Sequence, residues 1–245
     1  MTIATIQLQS RALSHTIDYT AILPEPDRVG SGPYPVLLQL HGMYDNHSAW
    51  VQKSRLAEYV RDLPLLVVMP TGNNNMWANL HPKLRYEDMV IQDLHEQVNS
   101  LFNTRKGKWA IGGLSMGGFG ALRLGLKYPD KFSSIFAHSS VIPDATGLKK
   151  WSVPDKTILD DLDLFQIASK FTAENFPVVS FDCGTFDSLI KDNREFHAHL
   201  QKLGLPHQYT EHPGKHDWKY WDKYALEAIA QHSQVFGIKP ANIPE

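Results

Sequence analysis

The chain has one cysteine, Cys183, in 245 residues. A lone thiol cannot close an intrachain disulfide, which excludes a disulfide scaffold and a multi-cysteine zinc site. No apolar run reaches the roughly 20 residues that a membrane-spanning helix needs. Formal charge is −2, with no long run of one sign. That balance excludes the basic footprint of a nucleic-acid binder and a polybasic membrane patch. The opening residues 1–10 lack a basic segment followed by an apolar stretch, so no export signal is expected and a cytoplasmic location is. There is no internal repeat, no low-complexity tract and no phosphate-cradling G-x-G-x-x-G or Walker-type loop. The composition that remains, 42% hydrophobic and 20% charged, is that of a globular protein with ample length for a large core.

Apolar runs bounded by turn residues mark strands at 35–40, 65–69, 108–112, 132–138 and 177–182, with a last short one at 208–210. Continuous runs of this kind suit strands covered on both faces. Two earlier segments, 5–8 and 16–23, read as an opening antiparallel pair. Apolar residues at three- and four-residue spacing mark helices at 49–61, 87–102, 116–127, 189–203 and 218–236. Strands alternating with helices predict an α/β fold, a mostly parallel central sheet with helices on both faces. Ligands bind such sheets at the carboxyl ends of the strands. His41, Thr71, Ser115, His138 and Cys183 all fall at or just past those ends. The stretch 145–176 breaks the rhythm and reads as a cap-like excursion of the single domain 1–245, with one or two short helices. Its acidic residues Asp160, Asp161 and Asp163 read as a helix start rather than a metal site.

Residues Gly113-Leu114-Ser115-Met116-Gly117 form a G-x-S-x-G pentapeptide between a strand-like and a helix-like run. This is the pattern of a nucleophile elbow, a tight turn that presents a serine hydroxyl at the sheet edge. Glycines allow the backbones to approach where a Cβ would clash. A serine needs a base within hydrogen-bond reach, and a histidine needs a carboxylate to fix its tautomer. Among twelve histidines, His216 stands in a loop just before the final helix and is preferred. His212, nearer the strand, is its rival. His197 and His199 lie two apart on a helix and make a poor metal pair; His15, His47, His81, His95, His207 and His232 read as surface residues. For the acid, Asp187 in the loop after a late strand is preferred over Asp182 on that strand. Two N–H donors are needed for an oxyanion. Met116, after the nucleophile, supplies one. Met43, in the turn that Gly42 permits after an early strand, supplies the other. Trp77, in an Asn-rich loop, is read as lining the substrate pocket or as packing under that loop.

The segments Leu40-His41-Gly42-Met43, Gly113–Gly118, Cys183-Gly184-Thr185-Phe186-Asp187 and Gly214-Lys215-His216-Asp217-Trp218 together resemble the esterase D-like branch of the α/β hydrolases. They span most of the chain and look closest to the small tributyrin-type carboxylesterases. The resemblance implies an α/β-hydrolase fold and the triad Ser115, Asp187 and His216. It implies hydrolysis of short-chain acyl esters through an acyl-enzyme, with no cofactor and no metal. Related activities in that branch are those of S-formylglutathione hydrolases and of feruloyl or acetyl carbohydrate esterases. The expected partner is a small-molecule ester, not nucleic acid or membrane. Whether the chain forms a homo-oligomer stays open.

Overall fold

Eight strands form one sheet in the order β1-β2-β4-β3-β7-β8-β9-β10. The structure is a computed structural model that describes residues 1–143 and 156–240. The strands are β1 (Thr2–Ser10), β2 (His15–Leu23), β3 (Val36–Leu40), β4 (Leu66–Pro70), β7 (Trp109–Leu114), β8 (Phe132–His138), β9 (Val178–Gly184) and β10 (His207–His212). A small separate hairpin pairs β5 (Asn79–His81) with β6 (Leu84–Arg85). β1 and β2 are antiparallel to their neighbours, and β4 through β10 of the large sheet run parallel. This is the mostly parallel sheet with an antiparallel N-terminal pair that the sequence predicts. The apolar strand runs are legible because both faces are covered.

The helices are α1 (Pro26–Val29), α2 (Ala49–Lys53), α3 (Leu56–Tyr59), α4 (Tyr86–Asp88), α5 (His95–Leu101), α6 (Met116–Lys127), α7 (Lys156–Leu162), α8 (Leu164–Ala168), α9 (Ile190–Lys202) and α10 (Trp218–Phe236). Alternate residues of each central strand feed two cores. Leu38, Val68 and Ile111 pack with Val98 of α5, Phe119 of α6 and Phe196 of α9. Leu37, Val67 and Ala110 pack with Trp50 of α2, Leu56 of α3 and Tyr220 of α10.

Two expected helices are broken. The 49–61 pattern splits at Ser54, which is extended at φ −141° and ψ 170°. Its hydroxyl donates to the Trp50 carbonyl and accepts from the Leu56 amide, so a side chain replaces helix hydrogen bonds. The 87–102 pattern is helical as far as Leu101, but its α-helix is interrupted by a π-helical stretch, Met89–Leu94, between α4 and α5.

Of the 145–176 excursion, residues 145–155 lie outside the described residues. The described part carries α7 and α8. Asp163 caps α8, accepting from Phe165 N at 2.9 Å and Gln166 N at 3.2 Å. Asp161 instead pairs with Arg123 and Lys127. Among the described residues no group of His, Cys, Asp and Glu is arranged to hold a metal. No helix among them is long and apolar enough to cross a membrane.

Topology fixes where the ligand crevice lies. The chain runs from β3 outward to β4, then returns to place β7 on the other side of β3. The strand order reverses between β3 and β7, and a crevice opens at such a switch point.

Candidate active site

Ser115 follows β7 at that switch point. Its backbone is held at φ 53° and ψ −117°, a region that side chains other than glycine enter at a cost of about 1–3 kcal/mol. The surroundings over-determine it. The Ser115 amide donates to the His138 carbonyl at 2.9 Å, and its carbonyl accepts from Phe119 N at 3.0 Å and Val141 N at 3.2 Å. A Cβ on Gly113 would lie 2.3 Å from the Gly117 carbonyl oxygen. One on Gly117 would lie 2.4 Å from the Leu40 oxygen. The glycines of the pentapeptide are therefore packing requirements of the turn.

The three residues selected from sequence come together. His216 Nε2 is 2.9 Å from Ser115 Oγ, and His216 Nδ1 is 2.8 Å from Asp187 Oδ2. Burial pushes the Asp187 carboxyl up, but hydrogen bonds from His216 and the Leu189 amide outweigh it and hold the group below its ordinary value. An ionised Asp187 accepts a hydrogen bond from Nδ1–H, which keeps the proton on Nδ1 and leaves the Nε2 lone pair facing the serine hydroxyl. Asp187 is 3% exposed and Ser115 8%, so this line of groups is sheltered from water everywhere except at the imidazole.

The rivals stand elsewhere. The His212 ring stacks on Tyr224 and faces Glu227 at 3.3 Å. Asp182 is fully buried and binds His138 and Tyr220. Burial, with the Asp187 charge beside it, pushes the Cys183 thiol far up, which leaves it protonated and inert.

The loop after β3 lies against the elbow. A Cβ on Gly42 would come within 3.5 Å of Ser115 Cβ. His41 braces this loop from below. Its Nδ1–H donates to the Gly42 carbonyl at 2.7 Å and its Nε2 accepts from Gly72 N at 2.9 Å. Only the neutral ring can do both, and burial lowers the His41 pKa to about 4. Tyr44 N donates to Asn74 Oδ1 at 2.7 Å. The Met116 amide belongs to the first turn of α6, where helix N–H groups have no intrahelical acceptor.

Of the two readings of Trp77, pocket lining or packing under its loop, the packing matches the second. The side chain is fully buried, and its indole N–H donates to the His41 carbonyl at 3.3 Å. Its ring fills the space beside Gly72 and Gly120, where added Cβ atoms would approach to 2.4 and 2.6 Å. Trp77 therefore supports the loop from behind and offers no face to a ligand. His232, expected at the surface, is also fully buried. It bonds Ser134 Oγ through Nδ1 at 2.8 Å, and burial, with His138 nearby, lowers its pKa to about 3. The brace formed by His41 and the buried pair of His138 and Asp182 escaped the sequence reading. Strand-end position was the available signal; the sequence does not show which side of the sheet each ring takes.

Fold and switch-point geometry define the class: the chain is an α/β hydrolase, a serine hydrolase. Residues 10–232 match the family described as "Putative esterase", and the chain belongs to that esterase family. It is 31% identical to an acetyl esterase of Caldicellulosiruptor saccharolyticus, over 96% of this chain and 99% of the relative. Among solved structures, it is similar to the S-formylglutathione hydrolase FrmB of Staphylococcus aureus. That match has 26% identity, a TM-score of 0.82, and covers 95% of this chain and 99% of the other. A ferulic acid esterase shares the fold at 22% identity and TM-score 0.84, over 96% of this chain and 98% of its own.

Proposed function

We propose that this protein is a carboxylesterase for short-chain acyl esters, with Ser115 as nucleophile, His216 as general base and acid, and Asp187 orienting the imidazole. The observation that carries the reading is the unbroken line from Asp187 through His216 to the Ser115 hydroxyl, with contacts of 2.8 and 2.9 Å. His216 takes the serine proton as Oγ attacks the ester carbonyl. The Met43 and Met116 amides receive the oxyanion, a contribution of about 3–4 kcal/mol for each such donor. His216 then protonates the departing alkoxide, leaving an acyl-enzyme. The same imidazole activates water to release the acid and regenerate Ser115. The family likeness supports ester chemistry, and the acetyl esterase relative supports a small acyl group. The whole chain reads as one domain.

A thioester reading has the likeness to S-formylglutathione hydrolase in its favour. A series of 4-nitrophenyl esters of increasing acyl length, run beside S-formylglutathione, separates the two. Short acyl esters are expected to give the highest kcat/KM. Failure to turn over any oxygen ester, with S-formylglutathione consumed, replaces this reading by the second. Ser115→Ala is expected to abolish fluorophosphonate labelling and to lower kcat by at least about 10³-fold.

A further inference from the structure

Beneath the catalytic groups lies a second histidine–carboxylate pair that the proposed reaction does not use. His138 ends β8 and Asp182 stands beside it on β9. Both are fully buried, and Nδ1 of His138 lies 2.6 Å from Asp182 Oδ2. The other carboxylate oxygen, Oδ1, accepts from the Tyr220 hydroxyl at 2.8 Å. Tyr220 is in the first turn of α10, four residues past His216. Its amide donates to the Asp217 side chain at 3.0 Å. Its ring presses on the loop before it: a Cβ on Gly214 would come within 2.3 Å of Tyr220 Cδ2. From the opposite side, a Cβ on Gly184 would come within 2.5 Å of the Gly214 oxygen. The Gly214 carbonyl also accepts from Phe186 N at 2.9 Å, next to Asp187. At the far end of the chain, the His138 carbonyl holds the Ser115 amide.

The geometry points to His138, Asp182 and Tyr220 as positioning residues: a buried hydrogen-bonded chain that ties the His216 loop to the strand holding the Ser115 turn. The inference rests on the proposed triad. This hydrogen-bonded chain joins the two segments whose separation sets the 2.9 Å contact of His216 with Ser115. A buried carboxylate needs its donors, because an unmatched one is costly in a dry interior. Both oxygens of Asp182 are met, one from the sheet and one from α10, so the helix start has one preferred height above the sheet. Burial, followed by the Asp182 charge, pushes the Tyr220 phenol far up, which keeps it a donor. Misplacement of a catalytic group by a fraction of an ångström is felt in kcat rather than in substrate affinity.

The test removes the two ends of the chain separately in the full-length protein. Tyr220→Phe deletes one oxygen and keeps the ring. It is expected to lower kcat on 4-nitrophenyl acetate by about tenfold or more, with KM changed less than about threefold. Fluorophosphonate labelling of Ser115 should slow in parallel. Hydrogen–deuterium exchange of the amides at 213–221 should quicken. His138→Leu should lower kcat in the same way, and His138→Asn, which returns an N–H toward Asp182, should recover most of it. Folded Tyr220→Phe with the parent kcat and unaltered exchange would overturn the inference. If Tyr220→Phe does not fold, the His138 variants decide: parent-like kcat in His138→Leu, or no recovery in His138→Asn, overturns it equally. A parent protein inert toward every ester sinks the proposed function instead, and exchange at 213–221 still reads the tether.

Discussion

At Asp187, charge and hydrogen bonding can be separated by one atom. Asp187→Asn keeps the shape, and its amide oxygen can still receive the Leu189 N–H. If the new N–H₂ faces His216, the ring turns to the tautomer that carries its proton on Nε2, and the lone pair facing Ser115 is lost. The analogous change in a serine protease triad lowers kcat by roughly 10⁴-fold. A loss of about 10³-fold or more with KM nearly unchanged is expected here, measured by steady-state kinetics. Retention of kcat within tenfold would remove Asp187 from the mechanism. The convergence of the three proposed triad residues was legible because each is tied to a chain landmark: a glycine-flanked serine, a loop before the last helix, and a loop after a late strand. Trp77 was not legible. Its loop position is equally suited to a pocket wall or a buried prop, and only its packing against Gly72 and Gly120 decides between them.

Among elements, the contact that matters most is between α6 and the end of β3. At Gly117 the helix backbone sits directly on the Leu40 and His41 carbonyls, where a Cβ would come to 2.4 and 2.6 Å. Neither neighbour is a flexible side chain, so Gly117→Ala must push helix and strand apart. The expected cost is about 1–3 kcal/mol of stability, read from urea midpoints. Displacement of α6 from the Gly42–Met43 turn also separates the two amides proposed for the oxyanion, so kcat should fall beyond what unfolding explains. A stable Gly117→Ala with full activity would show that the close approach is incidental. At this scale the sequence carried β8 and the helices at 116–127 and 218–236 to the residue, because continuous apolar runs and clean helical periodicity coincide there with caps such as Asp217. It did not carry the break at Ser54, where a hydroxyl competes with the helix backbone. Nor did it carry the hairpin of β5 and β6, whose few, at best half-buried residues leave no apolar pattern.

Across the whole molecule, the histidines couple the fold to pH. Burial holds His41 neutral with a pKa of about 4 and His232 neutral with one of about 3, against an ordinary 6.5. His47, His95 and His197 are displaced downward too, each chiefly by burial. Below pH 6.5 the unfolded chain binds protons that these native rings refuse, so stability falls as pH falls. The contribution is complete above 6.5, is lost progressively toward 4, and levels off near 3. Glu87, Asp93, Asp161 and Asp187 have carboxyls held below their ordinary values. Their contribution is present above about pH 4.5 and is lost only below it, so the histidines act first. His41 and His232 together should remove about 3–4 kcal/mol between pH 7 and pH 5. Urea unfolding at the two pH values, with an unchanged m-value, measures this directly. Equal midpoints at pH 7 and 5 would mean that His41 under the Gly42–Met43 turn and His232 on α10 take up protons without disturbing their partners. That would contradict the His41 brace, because a protonated His41 cannot accept from Gly72 while donating to Gly42. Stability and the proposed activity are therefore expected to fall together on the acid side, because the proton that loosens the fold at His41 also releases the turn that carries Met43, the proposed oxyanion donor.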